Sequence, residues 1–146
     1  MKVTYLVFLA LLSTPLTLMA EGNTAAPSPI EAYHSWTQIS LLLCTITEKT
    51  EQLSAETDTP IEPEKSLSTC IKKHSDEAKA ELNSAIKTLK NNNTQEALKN
   101  YHVAFITALK GIEPGFDERK ITYSQRQQML TDKVNEAWAR FDIENN

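Results

Sequence analysis

Glycine is almost missing from this chain: Gly22, Gly111 and Gly115 are the three in 146 residues. Loops that cradle phosphate need several backbone positions without a Cβ, so P-loop and dinucleotide-type sites have nothing to be built from. Basic residues are also short, 15 Lys and Arg against 19 Asp and Glu. A nucleic-acid binder needs the opposite balance, because its cations must replace the counterions of the phosphates. The nearest basic segment, Lys72-Lys73-His74, runs into Asp76 and Glu77 and reads as a solvated helix face.

Cysteine is limited to Cys44 and Cys70, with neither a CxxC redox spacing nor a CxxCH haem attachment. His34, His74 and His102 form no HxxxH pair and fall on three different helical stretches. Structural histidines are the better reading of each, with no metal site and no cofactor expected. The same scatter argues against a Ser-His-acid or Cys-His enzyme. No run of alternating β-branched residues suggests a strand.

What is present begins with a targeting pattern. Lys2 is a short basic start, the apolar run from Val3 to Ala20 follows, Pro15 breaks it, and the small Ala20 offers a cleavage point before Glu21. Residues 1–20 are therefore expected to be a cleaved signal peptide. The rival is an uncleaved anchor, since the run is near the lower length limit of a membrane span. With cleavage, no stable membrane anchor remains, and a periplasmic or secreted location follows. Residues 21–28 read as a flexible lead and 29–146 as a single domain.

That domain reads as four amphipathic helices. Ser28, Pro29 and Glu31 form a capping box with proline at the first helical position. Trp36, Ile39, Leu43, Ile46, Thr50 and Leu53 then recur at steps of three and four, which predicts the buried face of helix one. The prolines of TDTPIEP make the first connection. A second stripe, Leu67, Ile71, His74, Ala78, Leu82, Ala85 and Leu89, ends at Asn91-Asn92-Asn93. Helix three, opening near Asn93 or Thr94, holds LKNYHVAFITALKGI from Leu98 to Ile112, whose middle is almost all apolar or small, so it is the expected most buried helix. Gly111, in a left-handed C′ position, and Pro114 are expected to end it. Helix four, from Thr122 or Ser124, carries Tyr123, Leu130, Val134, Ala137, Trp138 and Phe141 inward. Short connections imply antiparallel neighbours, so the predicted fold is all-α, an antiparallel up-down-up-down four-helix bundle. The start of helix one and the end of helix four then share an end, with Tyr33, Trp36, Tyr101, Trp138 and Phe141 gathered there.

Two constellations stand out. Cys44 and Cys70, on consecutive helices of an exported chain, are expected to form a disulfide; two free thiols or an intermolecular bridge are the alternatives. The register requires helix one to stop near Leu53 for the two to meet. The connection EPGFDERKI sets Phe116 after Pro-Gly among Asp117, Glu118, Arg119 and Lys120. Phe116, Asp117 and Arg119 are the candidate partner-binding residues, because aromatic and arginine side chains dominate binding hot spots. The competing reading has Phe116 tucked back as a plug for the end of the bundle.

From Glu77 through QEALKNYHVAF the chain resembles a tetratricopeptide repeat, with Ala85, Ala97, Tyr101 and Ala104 at matching positions. Glu81 and Ser84 stand where that family has its first-helix aromatic and leucine. The resemblance implies a helical hairpin used for protein interaction, and a single copy cannot bury its own faces. Taken together, the sequence predicts an exported helical bundle, not an enzyme, that acts by binding another protein in an accessory, chaperone-like or inhibitor-type role. A metal or small-ligand carrier using His74 or His102 is the alternative.

Overall fold

The computed structural model describes residues 26–146; the expected signal peptide, 1–20, and the first part of the expected 21–28 lead lie outside the described residues. Four helices follow one another: α1 (Pro29–Glu56), α2 (Leu67–Ile86), α3 (Asn92–Lys110) and α4 (Lys120–Asn145), with a short 3₁₀ turn at Pro63–Lys65. No strand occurs among the described residues. The all-α, four-helix expectation is met.

The N-terminus of α1 forms as its residues dictate. The Ser28 amide donates to Glu31 Oε2 at 2.8 Å, and the Glu31 amide donates to Ser28 Oγ at 3.2 Å. Two orphan donors of the first turn are thereby satisfied reciprocally. Helix three starts slightly earlier than expected, on an Asn91 cap whose Oδ1 accepts from the Asn93 amide. Helix two stops at Ile86 instead of near Lys90.

Antiparallel order is written in contacts between helix ends. Thr94 Oγ1 at the start of α3 donates to the Glu144 carbonyl at the end of α4. The Gly111 carbonyl after α3 accepts from Gln127 in the second turn of α4. As expected, α3 is the central layer: Leu98, Tyr101, Phe105, Ala108 and Leu109 are all buried, as is Ile112 just beyond it. One core cluster joins Tyr33, Leu82, Leu98, Tyr101, Val134 and Phe141; a second joins Cys44, Leu67, Ala78, Phe105, Leu109 and Ile112. The aromatic end also forms. Tyr101 meets Tyr33 edge-on at 6.0 Å and Trp138 at 5.0 Å, and Trp138 lies 5.0 Å from Phe141.

Helix one departs from expectation. Its buried residues are Tyr33, Thr37, Ser40, Cys44 and Glu48. The stripe predicted to face inward, Ile39, Leu43, Ile46, Thr50 and Leu53, is exposed, and only Trp36 is partly buried. The cause is the set of specific partners on the other face. Cys44 is bonded to Cys70, the Tyr33 hydroxyl meets His102 Nδ1 at 2.7 Å, Thr37 meets the Tyr101 hydroxyl, and Ser40 Oγ meets His74 Nδ1 at 3.1 Å. At 100° per residue, turning Cys44 toward α2 carries Thr37, Ser40 and Glu48 inward and swings Ile39, Leu42, Ile46 and Leu53 to the far side.

The termination of α3 is right in place and different in mechanism. Gly111 has φ −74° and ψ −5°, right-handed and not the left-handed cap. Glycine fits there because a Cβ would overlap the Leu130 Cδ1 methyl of α4 and sit 3.2 Å from the Thr107 carbonyl oxygen, so any larger residue would have to displace Leu130.

Candidate functional site

The connection from Gly111 to Arg119 is a built structure. The Glu118 amide donates to the Gly115 carbonyl at 3.0 Å, closing a four-residue turn. Asp117, third in that turn, has φ 56°, the positive value that a type II turn needs and that aspartate tolerates better than most residues. Phe116 is second in the turn and stands at its tip, 99% exposed. Asp117 and Arg119 follow it in the chain and are exposed as well. The three candidate residues are thus brought onto one tip.

Arg126, in the second turn of α4, braces this tip from beneath. Its Nε donates to Glu118 Oε1 at 2.9 Å and its Nη2 to Glu118 Oε2 at 2.6 Å, a two-pronged pairing that fixes both planes. Nη1 donates to the Gly111 carbonyl and Nη2 to the Glu113 carbonyl. Glu118 Oε2 accepts in addition from the Gly115 amide at 2.9 Å. The Arg126 guanidinium and that amide hold the Glu118 carboxyl at about 2, well below the usual carboxylate range. Only 12% of the Glu118 side chain is exposed.

The end of the bundle below is closed by other residues. Ile112 is buried, and the Tyr123 hydroxyl donates to its carbonyl at 2.8 Å. Arg126 and Lys49 lie over the Tyr123 ring at 5.3 and 5.6 Å. Burial, followed by the nearby Glu48 carboxylate, pushes the Tyr123 hydroxyl up to about 12. With Ile112 and Tyr123 already filling the end, Phe116 has no hole to enter, and the reading of Phe116 as a plug is overturned. The sequence reading passed over Glu118 and Arg126 as a pair. They stand eight residues apart across a loop–helix boundary, where no helical spacing rule applies.

The second constellation is the cysteine pair. Cys44 and Cys70 sulfurs are 1.96 Å apart, with Cα atoms at 5.6 Å. The register demand is met in an unforeseen way. Helix α1 does not stop near Leu53 but runs to Glu56, whereas α2 opens at Leu67, one turn before Cys70. At 1.5 Å per residue α1 overshoots by roughly 14 Å. Residues 57–66 return along this overhang, and Glu51 Oε1 accepts from the Leu67 amide at its close.

His74 Nδ1 or Nε2 lies within 4.8 Å of both sulfurs, so Cys44, Cys70 and His74 form a group of metal-ligand chemistry in which the two sulfurs are bonded to each other. The signal for it was the four-residue spacing of Cys70 and His74 on α2, which a search for paired histidines does not register. Glu31 and His34 stand in an E-x-x-H spacing, but the Glu31 carboxylate is engaged by the Ser28 amide.

Each histidine has its own surroundings. His34 stacks flat on Trp138 at 3.7 Å, His74 sits between Ser40 and the edge of Trp36, and His102 faces Tyr33. Burial lowers the pKa of all three; Glu77 partly offsets this at His74. Along the outer groove of α3 and α4 runs an open cleft of about 640 Å³, lined by both signs of charge, including Glu96, Lys133, Arg140 and Glu144. The tetratricopeptide-like positions fall on the α2–α3 hairpin, with Ala85 and Tyr101 buried in its crossing. No helix of the described residues is long and apolar enough to cross a membrane. Comparison with protein-family models, curated proteins and solved structures returns no match for this chain.

Proposed function

We propose that this protein is an exported helical bundle that acts by binding another protein, and that Phe116, with Asp117 and Arg119, is its point of attachment. The reading of export rests on the basic start and apolar run of residues 1–20. The binding reading rests on one observation above the others: Phe116 is 99% exposed on a turn that Arg126 and Glu118 hold in place. A fully hydrated phenylalanine has the largest gain available from entering an apolar pocket, and a braced turn loses little freedom when it does so. Asp117 and Arg119 offer an acceptor and a directed donor close by in the chain, which suits a pocket with a polar rim. The matching partner surface is an apolar pocket flanked by a cation and a carboxylate.

The test is a photo-crosslinking amino acid in place of Phe116, used in the protein's own compartment, followed by binding measurements with the purified adduct partner. Phe116→Ala is expected to weaken that binding by at least tenfold, and Arg119→Ala by less. Equal binding by Phe116→Ala and the unaltered chain, at unchanged helix content, would remove the loop from the proposal.

A further inference from the structure

Among the described residues, helix α1 has an apolar face that no other helix covers. Ile39, Leu42, Leu43, Ile46 and Leu53 are each between 46% and 60% exposed; Leu43 stands at the flank of this face and the other four lie opposite Cys44. Five side chains of this size, about half-exposed, leave on the order of 500 Å² of apolar surface, at the upper end of the largest patch that ordinary monomers carry. We infer that this face is where a second copy of the chain docks, with the two α1 helices antiparallel across a two-fold axis near Ile46.

Three observations select a second copy as the occupant. The stripe reads the same in both directions: Ile39 and Leu53 lie seven residues to either side of Ile46, with Leu42 and Thr50 four residues to either side. A two-fold axis at Ile46 therefore sets Ile39 against Leu53 of the other copy and Leu42 against Thr50, the self-complementarity that an isologous interface requires. Opposed helix dipoles favour the same direction. The steps of four and three are those of a coiled-coil seam, which takes a helix and not an extended chain.

Charge points the same way. The chain carries net charge −4, so two copies repel over most of their surface. Residues 35–47 carry no charge at all, so that cost is small over this part of the face, and the axis sets Lys49 against Leu43 of the other copy. Area agrees: with non-polar atoms making up about 57% of an ordinary interface, the apolar stripe scales to a footprint of about 880 Å². A standard interface buries about 800 Å² per partner. A lipid surface is the weaker occupant, because helices that lie on membranes carry a row of Lys and Arg, and Lys49 is the one basic residue from 35 to 56.

The test is sedimentation equilibrium of the purified, oxidised protein from low micromolar to high micromolar concentration. A monomer–dimer equilibrium is expected, and Ile39→Glu with Ile46→Glu is expected to weaken it by roughly 100-fold while helix content by circular dichroism stays unchanged. Direction is read by a bismaleimide linker. Ile39→Cys mixed with Leu53→Cys should crosslink between copies, and Ile39→Cys alone should not. Phe116→Ala should leave the dimer intact, separating this surface from the loop. A protein that stays monomeric throughout, a dimer that survives both glutamates, or crosslinking of Ile39→Cys to itself each overturns the proposal as stated. So does a monomer that binds neutral or anionic phospholipid vesicles through the same residues.

Discussion

Helices α1 and α3 are the two apolar helices of this molecule, and they use that property in opposite ways. Helix α3 turns Leu98, Tyr101, Phe105 and Leu109 inward until none is accessible. Helix α1 turns threonine, serine, cysteine and glutamate inward and leaves isoleucine and leucine outside. The buried polar groups of α1 are not left idle. Thr37 and Ser40 donate to carbonyls of their own helix, at 2.7 and 2.8 Å, and meet Tyr101 and His74 across the interface. Glu48 is engaged by Gln52, and Lys49 Nζ lies 3.1 Å from its Oε2. A periodic stripe shows that a helix has an apolar face; it does not show which neighbour that face is for.

The sharpest way to break the comparison is to cut a large side chain from each helix. Phe105→Ala in α3 should cost about 3–5 kcal/mol of unfolding free energy, the range for an aromatic removed from a closed core. Urea unfolding measures it, and a loss below 1 kcal/mol would mean that α3 is not the centre of the fold. Next in size is the staple of α1. Cys44→Ala with Cys70→Ala should cost about 2–4 kcal/mol, since the bridge closes a loop between residues 26 apart. The same pair of substitutions should release α1 before α3 in hydrogen exchange, because α3 has no covalent tie to lose.

Acid should act on the same seam. His34, His74 and His102 all lie between α1 and the other helices, and burial lowers each pKa below the unfolded value. Below about pH 6.5 the unfolded chain then binds more protons than the fold, so stability is full above that value and declines as pH falls toward the folded pKa values. Hydrogen exchange at pH 5 against pH 7.5, corrected for intrinsic rates, should show α1 amides losing protection while those of α3 keep theirs. Uniform loss would assign the decline to carboxylates elsewhere. The smallest effect belongs to the exposed stripe: Ile46→Ala should change the unfolding free energy of the monomer by less than about 0.5 kcal/mol. A loss of 2 kcal/mol or more would show that this side chain is packed within a single copy.

Much of the fold was legible for reasons the comparison makes clear. The capping box at Ser28, the stripes of α2 and α4 and the apolar run of α3 are local patterns, and local patterns survived. Cys44 and Cys70 could be paired because one bond between consecutive helices has few alternatives. The face of α1 was misread because four of its five inward residues are small or polar, and three of the five act through a partner far along the chain: Tyr33 through His102, Thr37 through Tyr101, Ser40 through His74. Such pairings are invisible to any window of consecutive residues. The candidate site was half legible in the same sense. Phe116, Asp117 and Arg119 could be picked out by composition, but the bracket that exposes Phe116 joins Glu118 to Arg126 across the start of a helix. Gly111 was placed correctly as a stop and explained wrongly, since its constraint comes from a methyl group of α4.

The Arg126–Glu118 bracket also has a kinetic meaning. A loop that must find its bound shape spends most encounters in the wrong one, and its association is slowed by the fraction of time the right shape is populated. Under the binding proposal, a turn already closed by five hydrogen bonds to and around Glu118 offers Phe116 on one backbone shape at every collision. Loosening the bracket with Glu118→Gln should therefore lengthen the search and leave the grip alone: slower association, with the lifetime of the complex nearly unchanged.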